Sequence, residues 1–241
     1  MKLLVLSDIH GNLAALTKVI EYTGAVHVDA VALLGDLIDY CPHSNEVVEI
    51  IQNTSFPIAC NIWGNHENAI LTDDYTRFSS PRGAESARHT KSILTARTID
   101  YLYCKMSRNG TYEFSLKSKK ILAVHGTLED CFWGKFDMTK DLSAYANYDV
   151  VLMGHSHQPL FYEKYFPCAN EATRNKKKTV FINPGSVGQP RNLNPNAQFV
   201  IFDTETESVE FVKVPYNIAQ EQKDFSDRID SFYKTRLEAG I

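Results

Sequence analysis

Five short apolar segments, each followed within a few residues by Asp, Asn or His, constrain the fold of this chain more than any other feature. The segments span residues 3–6, 31–34, 56–62, 121–124 and 150–153. Short apolar runs that stop at glycine or polar residues are typical of buried parallel strands. Because ligands bind beyond the carboxyl ends of such strands, the polar residues after these runs are candidates for one functional site.

The order of the predicted elements indicates an α/β fold. Helical and strand patterns alternate up to about residue 110, and mainly strands follow. This order predicts a four-layer α/β/β/α sandwich, in which two mixed β-sheets pack together with helices outside. The length of 241 residues fits a single domain, 1–241. Apolar residues recur at helical spacing over 217–241, which predicts a C-terminal amphipathic helix that packs on its own domain or forms an oligomer.

Composition excludes several classes of protein. The net charge of −4 gives no push toward nucleic acid or an anionic membrane. No stretch approaches the roughly 20 apolar residues of a membrane span, and no signal peptide is expected because Met1 and Lys2 lead directly into the first strand. The five cysteines are scattered without a Cys-x-x-Cys pair, so neither a disulfide framework nor a thiolate zinc site is indicated. We therefore expect a cytoplasmic protein.

The polar residues that follow the apolar segments have the chemistry of metal ligands. They are Asp8, His10, Asp36, Asn65, His125, His155 and His157. Two carboxylates, one amide and four imidazoles suit Mn, Fe, Zn, Ni or Co better than Mg or Ca, which prefer oxygen. Seven side chains are too many for one ion with an open position, but they suffice for two ions if one carboxylate bridges. Two ions roughly 3.5–4 Å apart are used to hydrolyse phosphate esters.

The same residues resemble the motifs of the calcineurin-like metallophosphoesterase superfamily. The five motifs, in order, are Asp8-x-His10, Gly35-Asp36, Gly64-Asn65-His66-Glu67, His125-Gly126 and Gly154-His155-Ser156-His157. The segments 7–12, 35–40 and 183–191 further resemble the compact prokaryotic single-domain phosphodiesterase branch. The resemblance spans residues 1 to about 214, and the five motifs together are far more specific than any one of them.

The resemblance implies a role for each site residue. Asp8, His10 and His157 would bind one metal ion, Asn65, His125 and His155 a second, and Asp36 would bridge the two. His66 would protonate the leaving oxygen or stabilise the transition state, while a metal-bridging hydroxide attacks phosphorus. Asp39 would orient a ligand or loop. The segment 183–191 either forms only a sharp turn or brings Arg191 to a phosphate or nucleotide.

The favoured interpretation is a phosphodiesterase that uses two divalent transition-metal ions, preferably Mn, on small phosphodiesters or nucleotides. The first alternative is a phosphomonoesterase, either a protein Ser/Thr phosphatase or a dinucleoside polyphosphate hydrolase, because these enzymes share the motifs. The second is a non-enzymatic scaffold that resembles the retromer subunit, although the complete ligand set argues against it.

Glu67 is interpreted as a helix cap, and Trp133 as a packing residue, although an aromatic near a site can stack on a base.

Overall fold

The computed structural model describes residues 1–241, which form ten β-strands and seven α-helices. The strands are β1 (Lys2–Leu6), β2 (Ala30–Leu33), β3 (Ile58–Asn61), β4 (Thr111–Leu116), β5 (Lys119–Val124), β6 (Val150–Met153), β7 (Leu160–Pro167), β8 (Lys176–Asn183), β9 (Ala197–Asp203) and β10 (Val209–Val214). The helices are α1 (Leu13–Ala25), α2 (Ser44–Gln52), α3 (Asn65–Thr72), α4 (Pro81–Ile93), α5 (Ala96–Lys105), α6 (Ile218–Lys223) and α7 (Ser231–Ala239). None of these helices is long and apolar enough to cross a membrane.

The strands form two five-stranded mixed sheets, which confirms the predicted fold class. The first sheet has the order β10-β9-β1-β2-β3, and the second has the order β4-β5-β6-β8-β7. Strands β1, β2 and β3 run parallel in the first sheet, as do β5, β6 and β8 in the second. Each sheet therefore gathers the carboxyl ends of three strands at one edge.

Strand β1 shows how the layers are built. Its side chains alternate between two apolar cores, as the two-residue period of a strand requires. Leu3 and Val5 lie between the two sheets. Leu4 and Leu6 face the opposite way and pack with residues of the helices, such as Leu16 of α1. Because both faces of β1 are buried, its sequence is a continuous apolar run.

The outer face of the second sheet is covered differently from the outer face of the first. Phe181 of β8 packs there against Leu142 and Tyr145, which lie in the segment between β5 and β6. That segment contains only a short 3₁₀ turn, Ser143–Tyr145. Local side-chain bonds favour turns here, because Asp141 Oδ1 accepts a hydrogen bond from Ser143 N. The layer outside this sheet is therefore mainly a loop where the sequence predicts helices, whereas helices do cover the outer face of the first sheet.

The C-terminal segment corrects the expectation of one continuous helix over 217–241. It forms α6 and α7, which are separated by residues 224–230. Between the two helices, Ser226 O accepts from Ile229 N in a turn, and Asp230 then caps α7 by accepting from Phe232 N. The apolar residues of this segment pack on the chain itself, where Ile229 and Tyr233 contact Tyr40.

Candidate metal centre

The structure brings the seven predicted ligands together at the carboxyl ends of the parallel strands. Asp8 and His10 follow β1, Asp36 follows β2, and Asn65 is the first residue of α3. On the second sheet, His125 follows β5, and both His155 and His157 follow β6. All are buried except His155, which is partly exposed to a cleft. One pocket thus receives side chains from both sheets.

The ligand atoms form two groups that share Asp36. In the first group, His157 Nε2 lies 3.2 Å from Asp8 Oδ1 and 3.2 Å from His10 Nε2. His10 Nε2 lies 3.6 Å from Asp36 Oδ2. In the second group, His125 Nε2 lies 3.3 Å from the same oxygen of Asp36. The titratable ligand atoms within each group all lie within 4.8 Å of one another.

Asn65 completes the second group. Its Oδ1 lies 2.9 Å from His125 Nε2 and 2.9 Å from His155 Nδ1. An amide oxygen and two imidazole nitrogens thus converge on the Asp36 side of the pocket. This mixed nitrogen and oxygen set suits transition metals more than calcium or magnesium.

Hydrogen bonds on the far side of the imidazoles show that the donor set fits cations. The Nδ1 atoms of His10, His157 and His125 lie 3.2, 2.6 and 2.6 Å from the backbone oxygens of Ile38, Gln189 and Leu34. A carbonyl oxygen only accepts, so each Nδ1 carries a proton. Burial keeps His10 and His157 neutral by lowering their pKa values, so the Nε2 atoms of these two present lone pairs. Burial also opposes a charge on His125, but the Asp36 carboxylate outweighs it and raises the pKa of His125 to about 9. The lone pairs of His10 and His157 therefore face each other.

The carboxylate of Asp8 adds an unpaired oxygen to these facing nitrogen lone pairs. Its Oδ1 is buried and has no hydrogen-bond partner, while its Oδ2 accepts from Ser7 Oγ at 2.6 Å. Burial raises the pKa of Asp8 to about 7 and lowers the pKa values of His10 and His157 well below the usual range. Neutral imidazoles are the form that binds metal. Bare lone pairs and an orphaned oxygen fit a site built for divalent ions.

The loops that carry the ligands are strained. Five of the seven ligands have a left-handed backbone: Asp8, His10, Asp36, His155 and His157, with φ angles of 54°, 51°, 52°, 62° and 57°. Non-glycine residues in this region cost about 1 kcal/mol each and cluster at functional sites. Gly64 is required for a different reason, because a Cβ atom there would lie 2.1 Å from Asp36 Oδ1. Tight loops and close backbone approach therefore set the ligand positions.

Glu67 holds two of these loops together. It is fully buried, and its carboxylate accepts hydrogen bonds from the backbone nitrogens of Gly64, Asp36 and Leu37 at 2.8, 2.8 and 2.7 Å. The bond to Gly64 is the predicted helix cap of α3. The bonds to Asp36 and Leu37 were not expected from the sequence, since they join residues about 30 positions apart.

His66 lies beside the ligand groups and is oriented by Asp39. Its Nδ1 is 2.6 Å from Asp39 Oδ2, and its Nε2 is 4.0 Å from Asp36 Oδ2. The other oxygen of Asp39 accepts from Ser86 Oγ at 2.7 Å and Thr90 Oγ1 at 2.8 Å, both on α4. Burial opposes the charged form of His66, but the Asp36 and Asp39 carboxylates outweigh it and raise its pKa.

Ser86 and Thr90 are two residues beside the site that the sequence did not suggest. They stand four residues apart, and so on one face of α4. That spacing is a weak signal, because small hydroxyl residues are common on helices. Only the packing of α4 against the loop after β2 brings them to Asp39.

The cleft above the ligand groups has a volume of about 500 Å³. Its cationic lining includes Lys135 and Arg191, and its aromatic lining includes Tyr40, Phe78 and Trp133. Arg191 Nε is buried without a hydrogen-bond partner. The structure thus places Arg191 in the lining of the cleft. The cleft combines an anion-attracting rim with an aromatic side.

Comparisons with known proteins show what the chain is similar to. Residues 1–207 match the family model of the calcineurin-like phosphoesterase superfamily domain. An uncharacterised protein of Methanocaldococcus jannaschii is 28% identical over 243 residues, which cover 98% of this chain and 97% of the relative. The crystal structure of a metallophosphoesterase from Sphaerobacter thermophilus is 27% identical, with a TM-score of 0.75 and coverage of 100% of this chain and 99% of the other. A hypothetical protein from Pyrococcus horikoshii shares the fold at 20% identity, with a TM-score of 0.79 and coverage of 100% and 98%.

Proposed function

Because the chain belongs to the calcineurin-like phosphoesterase superfamily, we propose that it is a phosphodiesterase that uses two metal ions to hydrolyse small phosphodiesters or nucleotides. The observation that carries the proposal is the pair of ligand groups that share Asp36 beneath a cleft, with His66 beside them. Asp8, His10 and His157 complete the first group. Asn65, His125 and His155 complete the second.

The proposed ions are divalent transition metals. Manganese is favoured, and iron, zinc, nickel and cobalt also suit a set of imidazoles, carboxylates and an amide oxygen. When bound, such a pair supplies an activated water and charge stabilisation for the phosphoryl oxygens. The side chains of the two groups hold the pair, and hydrogen bonds on their outer nitrogens fix their direction.

His66 is the proposed proton donor. In the reaction, water loses one proton to solvent as its oxygen bonds to phosphorus, and the bond from phosphorus to the leaving alcohol breaks. The leaving oxygen then takes a proton from His66 Nε2. Asp39 accepts from Nδ1, which directs Nε2 toward the ligand groups and favours the imidazolium form. The site residues thus divide into metal-holding groups and one acid.

Arg191 is proposed to bind a substrate phosphate. Its guanidinium lines the cleft, has no carboxylate partner, and presents a planar set of donors that matches phosphate oxygens. This arrangement supports the interpretation of the 183–191 segment as a substrate-binding loop over that of a simple turn.

The test is a paired hydrolysis assay on metal-stripped protein. Bis-p-nitrophenyl phosphate and p-nitrophenyl phosphate are compared with Mn, Ni, Zn, Mg or no added metal. We expect metal-dependent cleavage that is faster on the diester. A preference for the monoester would replace the proposal with the phosphomonoesterase alternative. Two bound ions without activity on either substrate would favour the scaffold.

A pair of matched variants controls for general effects of lost charge. Asp36→Asn is expected to lose metal and activity together, because Asp36 belongs to both ligand groups. Asp100→Asn removes a carboxylate from the exposed surface of α5 and is expected to change neither.

A further inference from the structure

The cleft has an aromatic wall, formed by Phe78 and Trp133, that the proposed chemistry does not use. The two rings meet edge to face, with centroids 5.3 Å apart and planes at 85°. Trp133 also lies 5.9 Å from the ring of His155, and Phe78 lies 5.2 Å from the ring of His66. The aromatic wall therefore borders both the proposed acid and a proposed metal ligand.

Trp133 is held in place by its neighbours. Both terminal nitrogens of Arg77 donate to the carboxylate of Asp130, at 3.1 and 2.6 Å. The Arg77 guanidinium lies 5.5 Å from the centre of the Trp133 ring. Gly134 N donates to Asp130 O at 3.0 Å and tightens the turn around the indole. The ring is therefore presented to the cleft by an ordered turn rather than by a long unsupported loop.

The other tryptophan of the chain has a different environment. Trp63 is 3% exposed, belongs to the apolar core and donates its indole N–H to Leu102 O at 2.7 Å. Trp133 is only partly buried and lines the cleft. Packing explains Trp63 fully, whereas Trp133 leaves part of a large aromatic surface facing the space where a substrate would bind.

We propose that the aromatic wall is a subsite for the nucleobase of a nucleotide substrate, which would make nucleotide phosphodiesters the substrate class. The inference rests on the proposed hydrolysis at the same site. Arg191 and Lys135 offer positive charge to phosphate oxygens, while the part of the indole that lines the cleft offers aromatic surface to a planar ring. Stacking of this kind tolerates every base because each has a π-face, so little discrimination among bases is expected.

The first test compares two inhibitors that differ only in the base. Adenosine 5′-monophosphate and ribose 5-phosphate are used against hydrolysis of bis-p-nitrophenyl phosphate by the metal-loaded protein. We expect the nucleotide to inhibit about tenfold more tightly, as stacking on one aromatic side chain provides. Trp133→Leu should remove that difference and leave inhibition by ribose 5-phosphate unchanged. Trp133→Phe should keep part of the difference in inhibition between the two compounds.

Two results would overturn the subsite. Equal inhibition by the two compounds in the unaltered protein would show that the base makes no favourable contact. Equal weakening of both compounds by Trp133→Leu would show that the indole acts on the phosphate end alone.

The second test does not depend on turnover. The chain has two tryptophans, so in the Trp63→Phe variant Trp133 is the only indole fluorophore. Adenosine 5′-monophosphate is expected to quench its emission, and ribose 5-phosphate is not. Quenching without hydrolysis of any phosphoester would keep the subsite and refute the proposed function. Hydrolysis of diesters without quenching by the nucleotide would keep the proposed function and refute the subsite.

Discussion

The ring of Tyr233 stacks on the ring of Tyr40, with centroids 4.2 Å apart and planes 18° from parallel. Tyr40 in turn lies 4.4 Å from the ring of His66 and 4.6 Å from that of His10. Tyr233 belongs to α7, beyond the residues that match the family. The last helix is therefore in contact, through a single aromatic ring, with the residues proposed to perform catalysis.

Replacing Tyr233 is expected to change turnover through the position of Tyr40. Tyr233→Ala removes the stacking partner and should lower kcat several-fold, with KM and the number of bound ions nearly unchanged. Tyr233→Phe keeps the ring and should restore most of the rate. Steady-state kinetics and metal analysis of both variants measure this effect. A full kcat in Tyr233→Ala would mean that Tyr40 holds its position alone.

His66→Asn is expected to retain both metal ions and lose roughly 10²–10⁴-fold in kcat, the range typical of a general acid. Asn keeps a polar group of similar reach but does not donate a proton to an alkoxide. Asp39→Asn should give a smaller loss, since it removes the group that orients His66. Metal content by elemental analysis and kcat for the diester check the two variants. Unchanged turnover in His66→Asn would remove His66 from the mechanism.

Glu67→Gln is expected to destabilise the fold and weaken metal binding together. The amide keeps one acceptor oxygen, whereas the carboxylate uses both of its oxygens to accept from four backbone nitrogens. Leaving a buried donor unsatisfied costs about 1–3 kcal/mol. Chemical denaturation and a metal titration measure the two effects. Glu85→Gln, on the exposed side of α4, is the control and should behave like the unaltered protein. Full metal affinity in Glu67→Gln would contradict the coupling.

The contact between His43 and Glu221 predicts a pH-dependent stability. The hydrogen bond from Nδ1 to the buried Glu221 carboxylate, at 2.9 Å, raises the pKa of His43 in the folded chain. A raised folded pKa adds stability that is complete below the unfolded value near 6.5 and is lost as pH rises through the folded value. His43→Gln should therefore lose about 1 kcal/mol more at pH 6 than at pH 9. Urea unfolding of both proteins at the two pH values tests this, and an equal loss would refute it.

The sequence was most informative where function depends on local chain geometry. Asp8 and His155 lie two residues beyond a strand end and His10 lies four residues beyond one, so the pattern of apolar runs places them at the carboxyl ends of their strands without knowledge of the packing. Their order along the chain then matches the family motifs. Both sheets could be anticipated for the same reason, because each strand is marked by its own apolar residues.

Contacts between distant segments were not predictable in the same way. The role of Glu67 as a helix cap is predictable because its bond to Gly64 is local. Its bonds to the loop after β2 depend instead on how α3 packs. Ser86 reaches Asp39 across 47 positions. The break between α6 and α7 was also missed, because apolar spacing continued through a segment whose hydrogen bonds close a turn at Ser226.

The left-handed backbone at the proposed metal ligands has a consequence for the history of this chain. Glycine adopts such φ angles without strain, so replacing Asp8, His10 or Asp36 by glycine would relieve a local cost. Selection for stability alone would favour that replacement, and a descendant that had lost catalysis would be free to accept it. The chain instead keeps a coordinating side chain at each of the strained ligand positions. Its sequence thus accepts a local cost in stability at positions that the proposed activity requires.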